Sequence, residues 1–235
     1  MAGVVIVGGG VIGICSAYYL AKAGHRVTVI EQNSLRDGCS FGNAGMVVPS
    51  HIVPLAAPGM IHKGVRWMFD ATSPFYVRPR PSVDLLKWGY YFYRHATDRH
   101  VKRAAPALKE LSLFSKAGYC ELAGALPFDF GYEERGLLML YKSRETALEE
   151  MQTAELARAH GLEAQVLDAR EVQALEPDVK VDALGGVYFP GDAHLAPQLL
   201  MNGLLKHLPI MGVRLVDGAT VENFEMKHGQ LSRVF

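Results

Sequence analysis

Cysteine is scarce in this chain: three in 235 residues, at positions 15, 39 and 120. None stands in a C-x-x-C pair or at metal-ligand spacing, so no thiol-based metal centre is expected, and a reduced, intracellular setting fits. Net charge is missing too. Lys and Arg number 24, and so do Asp and Glu, which argues against nucleic acid as the main partner. No apolar run reaches the length of a membrane span. The N-terminus has no basic stretch, and glycines break its apolar run, which argues against a signal peptide. No internal repeat or low-complexity tract appears. What remains is a chain of ordinary apolar content, 49%, long enough for one large domain or two small ones.

Against that background the first thirty-one residues stand out. An apolar run, Val4-Val5-Ile6-Val7, leads into Gly8-Gly9-Gly10-Val11-Ile12-Gly13. A helical stretch follows from Val11 to Ala23 and stops at Gly24, suited to a left-handed C′ position. A second apolar strand, Arg26–Ile30, ends in Glu31. Each residue type has a physical reason. Gly8 permits the tight turn, Gly10 lets a pyrophosphate approach the backbone, and Gly13 allows close packing of helix on sheet. The free amides and dipole at the helix start favour phosphate charge. Glu31 is placed to accept hydrogen bonds from ribose hydroxyls. Continuous apolar strands of this kind read as a parallel sheet buried on both faces. The pattern predicts a dinucleotide site, without separating FAD from NAD.

Residues Arg36–Ser50 are rich in glycine and small polar groups and have no helical or strand period. Backbone here could approach a flat ligand, with Ser40 and Asn43 offering hydrogen bonds and Met46 an apolar contact; an ordinary surface loop is the other reading. Together with Ala57-Pro58-Gly59 and Lys63–Phe69, Val11–Gln32 and Ser40–Gly45 resemble FAD-dependent D-amino acid dehydrogenases, a branch of the D-amino acid oxidase, glycine oxidase and sarcosine oxidase family. The resemblance runs through the whole chain. It implies an α/β fold: a glutathione-reductase-type, Rossmann FAD-binding domain with a partial α+β antiparallel-sheet substrate domain. The expected partition is 1–85 and 186–235 for the FAD domain and 86–185 for the substrate domain.

The resemblance also implies a site. Gly8, Gly9, Gly10, Val11, Ile12, Gly13, Glu31 and Gln32 would hold the ADP half of FAD. Ser40, Asn43, Ala44, Gly45 and Met46 would run along the pyrophosphate and flavin, and backbone at Val221 would contact adenine. The implied reaction is oxidative deamination of a D-amino acid by hydride transfer from Cα to flavin, with electrons passing to a respiratory acceptor. Oxidation of a secondary amine such as sarcosine, glycine or a hydroxyproline stays open, because the turn Gly191–Pro197 departs from the longer acidic and threonine-bearing version of the dehydrogenases. A third reading is an inactive dinucleotide-binding fragment. Cytoplasmic location, with association at the inner membrane surface, follows from the same resemblance. In such relatives the residues holding the substrate carboxylate lie beyond the equivalent of Phe235, so an N-terminal part of a longer enzyme is expected, with Val4–Val7 at a sheet edge.

Elsewhere the pattern predicts a helix at Met60–Phe69 within a proline-punctuated stretch, and helices at Val83–Arg103 and Pro106–Ala123. The first of the latter pair carries Trp88 and Tyr90–Tyr93, read as a buried aromatic face with a basic end. Phe128–Phe130 and Gly136–Tyr141 read as paired strands. Ser143 caps a helix to His160, with Leu148, Met151 and Ala154 on one side. Leu162–Leu167 reads as a strand, and Asp168–Glu171 has capping-box spacing. Gly185–Pro190 is a strand, a helix runs from the 191–197 turn to Leu208, and Val213–Val216 is the third parallel strand. Ala219–Phe224 and Leu231–Phe235 form a hairpin around His228-Gly229. His51, Asp192 and His194 are candidates for proton transfer, but a surface or hydrogen-bonded role for His51, a turn role for Asp192 and a polar contact near the helix start for His194 are the simpler readings. No catalytic residue is assigned.

Overall fold

The computed structural model describes residues 2–68, 80, 82–227 and 229–235. In chain order the elements are β1 (Gly3–Val7), α1 (Val11–Lys22), β2 (Arg26–Ile30), β3 (Met46–Val47), α2 (Met60–Trp67), α3 (Val83–His95) and α4 (Asp98–Ala125). They continue with β4 (Leu137–Tyr141), α5 (Arg144–Ala159), β5 (Gln165–Asp168), α6 (Ala169–Leu175), β6 (Gly185–Phe189) and β7 (Ala193–His194). The chain closes with α7 (Pro197–Ile210), β8 (Arg214–Val216), β9 (Phe224–Lys227) and β10 (Gln230–Val234). Phe69, Pro74, Pro79, Pro81 and His228 lie outside the described residues.

Two compact units result. The first comprises 1–46, 120–133 and 194–235, and the second 47–119 and 134–193. The boundaries fall after residues 46, 119, 133 and 193. Strand β6 is the centre of the second unit's sheet, so residues 185–189 go with that unit.

In the first unit β1 and β8 flank β2, all parallel, with Val5 opposite Thr28 and Val29 opposite Leu215. The β1–α1–β2 unit and the third parallel strand are where the apolar runs predict them. Among the described residues β1 pairs only with β2, leaving it at the edge, with Val5 and Val7 exposed. Helix α1 packs on β2 and α7. Ile14, Ala17, Val29, Leu200, Leu204 and Leu208 form the core there, and fully burying a side chain of this size contributes about 1.5–3 kcal/mol. Gly13 makes the close approach of α1 possible: a Cβ there would stand 2.0 Å from the Gly8 carbonyl oxygen. The hairpin β9–β10 is antiparallel and starts at Phe224, so Ala219–Asn223 is not strand.

In the second unit β6 lies between β4 and β5, antiparallel to both. Helices α5 and α6 cover this sheet, and Tyr141, Ala154, Ala157, Val187 and Phe189 form its core. Both capping signals hold: Ser143 accepts from the Thr146 amide, and Asp168 with Glu171 completes a capping box.

Four expectations need correction. Phe128–Phe130 is not a strand paired to β4; Phe128 instead rides over Gly203 of α7, where a Cβ would be 2.0 Å from its ring. The break between α3 and α4 falls at Ala96–Thr97, not before Pro106, because Thr97 caps the new helix by accepting from His100 N–H at 3.3 Å. Helix α4 runs through Pro106. The inward line of α5 passes through Ala147, Ala154 and Ala157, while Leu148 and Met151 face solvent; alanines let the helix settle closely on the sheet. Finally, α3 buries none of its residues, and Trp88, Tyr90, Tyr91 and Tyr93 are exposed.

Candidate functional site

The parallel strands β1, β2 and β8 all end at one rim. There Val7, Gly8, Ile30, Glu31, Gln32, Ala219, Thr220 and Val221 line a cleft of about 240 Å³. Ligands of open parallel sheets bind at the carboxyl ends of strands, so the position itself is informative. Gly8 adopts φ 108°, a conformation that glycine takes without strain, and open space lies where a Cβ would stand. Of the residues singled out in sequence, Gly8, Glu31, Gln32 and Val221 meet in this cleft although they span more than two hundred positions.

Glu31 is the organising side chain. One carboxylate oxygen accepts from the Gly9 amide at 2.8 Å and the other from the Asn33 amide at 3.0 Å. The Gly9 bond, then that to Asn33, holds its pKa below the usual carboxylate value. The acid is therefore ionised and tied to the glycine turn before any ligand arrives. Gly9 is buried, and a Cβ on it would meet Leu35 at 2.2 Å. That leucine carries no motif signal in the sequence.

Helix α1 begins without a side-chain cap from Gly10 and without an acid in its first turn. The Val11 amide is taken up by Ser40 Oγ at 2.9 Å. This bond pins the 36–50 loop to the helix start. Ile12, next along, is exposed, as is Gly10. A solvent-facing helix start with small residues, only its Val11 amide taken by Ser40, suits a diphosphate.

Within the loop Asn43 shapes the backbone. Its Nδ2 donates to the carbonyls of Ser40 at 3.0 Å and Cys39 at 3.3 Å, while its Oδ1 accepts from the Gly45 amide at 2.8 Å. Gly45 has φ 68°, and a Cβ there would be 2.0 Å from the Leu195 carbonyl oxygen. Ala44 and Met46 are exposed. The polar groups of Ser40 and Asn43 thus serve the loop itself, and backbone and Met46 are what the loop presents outward.

The second unit holds a separate polar cluster. Asp192 is 1% exposed. It accepts from Ser50 twice, from the amide at 3.1 Å and from the hydroxyl at 2.5 Å. Ser50 Oγ is also 2.9 Å from His51 Nδ1. Asp192 is thus far more than the turn residue the sequence suggests. His194 has a different position: its backbone bridges to Glu133, and its side chain is exposed. The Asp192 pairing partner, 142 residues earlier, has no sequence signal. Cys15 is packed in α1, and burial raises its thiol pKa to about 11, consistent with an inert core residue. Among the described residues no group of acids, histidines and cysteines could hold a metal.

Comparison with known proteins bears on family and fold. The family model DAO, described as FAD dependent oxidoreductase, matches residues 3–234. A D-amino acid dehydrogenase of Helicobacter pylori is 29% identical over 231 residues, covering 98% of this chain and 55% of that protein. One from Methylobacterium nodulans is 31% identical, covering 98% of this chain and 56% of its own length. The chain therefore spans about half the length of the curated relatives it matches. Among solved structures, glycine oxidase from Bacillus cereus superposes with a TM-score of 0.66 at 21% identity, covering 98% of this chain and 51% of that one. That likeness shows the fold.

Proposed function

Because the chain belongs to the DAO family of FAD-dependent oxidoreductases, we propose that it serves the oxidation of an amino acid at its Cα–N bond, with a D-amino acid as substrate. The observation that carries this reading is the meeting of Gly8, Glu31, Gln32 and Val221 in one cleft at the strand ends.

In this reading the first unit is the FAD-binding part, of glutathione-reductase type, and the second, with its antiparallel sheet, is part of the substrate domain. Glu31 and Gln32 hold the adenosine ribose, backbone at Val221 meets adenine, and Gly8–Gly13 with the α1 amides holds the pyrophosphate. Ser40, Asn43, Ala44, Gly45 and Met46 shape the wall along the flavin. The residues fit such a group: the cleft is open at Gly8, and its acid is already ionised and oriented. FAD, when bound, would supply the acceptor for the hydride, which carries both electrons of the oxidation. The protein's contribution is to orient the substrate Cα–H, exclude water and keep the amine neutral.

The D-amino acid is favoured over a secondary amine by the names of the relatives at about 30% identity. A turnover panel of D-amino acids against sarcosine, glycine and hydroxyproline tests the choice; faster turnover of the secondary amines overturns it. A respiratory acceptor at the inner membrane surface completes the reading. It is supported by the exposed aromatics of α3 and the cations Arg94, Arg99, Lys102 and Arg103 that follow. Among the described residues no helix is long and apolar enough to cross a membrane.

A further inference from the structure

Helices α2 and α3 of the second unit bury none of their residues. At eight and thirteen residues they are too short to hold as helices in water on propensity alone, and packing of an apolar face ordinarily supplies the difference. Here they leave between them a cleft of about 230 Å³ with an apolar lining, to which α2 gives Ile61, Val65 and Trp67 and α3 gives Trp88, Phe92 and Tyr93. The Trp88 and Phe92 rings pack on each other with centroids 5.2 Å apart. Outside the cleft α3 is still apolar. Val83, Leu86, Tyr90 and Tyr93 recur at helical spacing along one stripe and are 56 to 74% exposed.

Charge sets this face apart. Helices α2 and α3 with residues 98–103 carry seven Lys and Arg against two Asp, in a chain whose totals are 24 and 24. Lys63 of α2 is paired with Glu149. On α3, Lys87 and Arg94 stand two turns apart and so share one side of the helix. At 3.6 residues per turn the order around α3 is cleft, exposed apolar stripe, basic edge. The Arg94 guanidinium lies over the Tyr90 ring, 5.8 Å from its centroid, and joins the edge to the stripe.

We propose that α2 and α3 dock the protein on the surface of an anionic phospholipid bilayer, with the stripe and cleft meeting acyl chains and Lys87 and Arg94 meeting headgroup phosphates. This deepens the membrane-surface reading above and rests on it for the purpose of the contact. A continuous apolar sector edged by cations is the pattern of a helix lying in the interface plane. Trp and Tyr are the side chains that settle at headgroup level, with the ring in the apolar layer and the polar tip in the wet one. Arg99, Lys102 and Arg103 at the start of α4 add attraction that reaches about a Debye length from the surface.

The chain's two tryptophans, Trp67 and Trp88, both line the cleft, so intrinsic fluorescence reports on it directly. The test titrates the whole chain with vesicles of phosphatidylglycerol and phosphatidylcholine, with phosphatidylcholine alone, and with anionic vesicles whose acyl chains are brominated. The protein should partition to the anionic vesicles only, and the bromines should quench its tryptophan emission. Lys87→Gln with Arg94→Gln should weaken partition about 25-fold, about fivefold for each cation. Leu86→Ser with Tyr90→Ser should weaken it about tenfold. All four positions are exposed, so these variants keep the fold, checked by circular dichroism. Anionic vesicle binding that leaves the tryptophans unquenched and is unchanged in the variants overturns this docking face and leaves the membrane-surface reading standing. Equal partition to neutral vesicles overturns the headgroup contact, and with it the proposal. No partition to any vesicle overturns the proposal and the membrane-surface reading together. Variants that instead break up a dimer in sedimentation, with vesicle binding unchanged, overturn the proposal by showing that a second copy covers the face.

Discussion

Glu31 and Gly9 are joined across twenty-two residues by a 2.8 Å hydrogen bond from the amide to the carboxylate. The end of β2 and the glycine turn after β1 are thereby one rigid piece. Replacing Glu31 by Gln removes the charge and unbalances both amide bonds. FAD affinity should fall about tenfold, ~1.4 kcal/mol, measured by equilibrium titration of the apoprotein. The pH dependence has a definite sign. The folded pKa of Glu31 is lowered, so its contribution is present at neutral pH and is lost as pH falls through that lowered value. In Glu31→Gln this acid-side loss should be absent.

Gly13 tests the packing of α1 on the sheet. A methyl group there meets the Gly8 carbonyl oxygen at 2.0 Å, and that is backbone which cannot swing aside. Gly13→Ala should destabilise the fold by about 1–3 kcal/mol, read from chemical denaturation. Gly24 is the control. It has φ 81° with open space around it, so Gly24→Asn should cost less, because Asn tolerates the left-handed region.

The contrast between these glycines shows what could be read from the sequence. Gly8–Gly13, the flanking apolar runs, Glu31 and the caps Ser143 and Asp168 are local signals: each residue's role is decided by neighbours within a few positions. These gave the β1–α1–β2 unit and the helix starts of the second unit. The Ser50–Asp192 bond was not legible, because nothing local to either residue names a partner 142 positions away. Nor was the inward line of α5. Alanines outcompeted Leu148 and Met151 for the sheet because close approach buries more than bulk does at a distance. Glu31, Gln32 and Val221 could be joined only through the family resemblance; the strand order β1–β2–β8 supplies the physical reason.

Asp192 should behave oppositely to Glu31 in acid. Burial raises its pKa, against the hydrogen bonds of Ser50 and the nearby His51 and Lys116 charges. Its favourable contribution is complete below the unfolded carboxylate value and is lost as pH rises through the raised folded value. Asp192→Asn keeps the shape without the titration. Denaturation midpoints followed from acid to neutral pH should show less decline with rising pH in the variant than in the parent.

Gly45 fixes the loop after β2. Its φ of 68° and the 2.0 Å approach of the Leu195 carbonyl to any Cβ exclude a side chain. Gly45→Ala should cost about 1–3 kcal/mol and release the Asn43 clamp. Limited proteolysis should then cut between residues 36 and 50 faster than in the parent, while Asn43→Asp, which still accepts from the Gly45 amide, should be cut at an intermediate rate.

The visible spectrum of the purified protein, before and after anaerobic D-alanine, tests the central claim most directly. A flavin band that bleaches on adding the amino acid is the predicted result. A colourless protein that takes up no FAD, or a flavin band untouched by D-amino acids and by secondary amines alike, would contradict it.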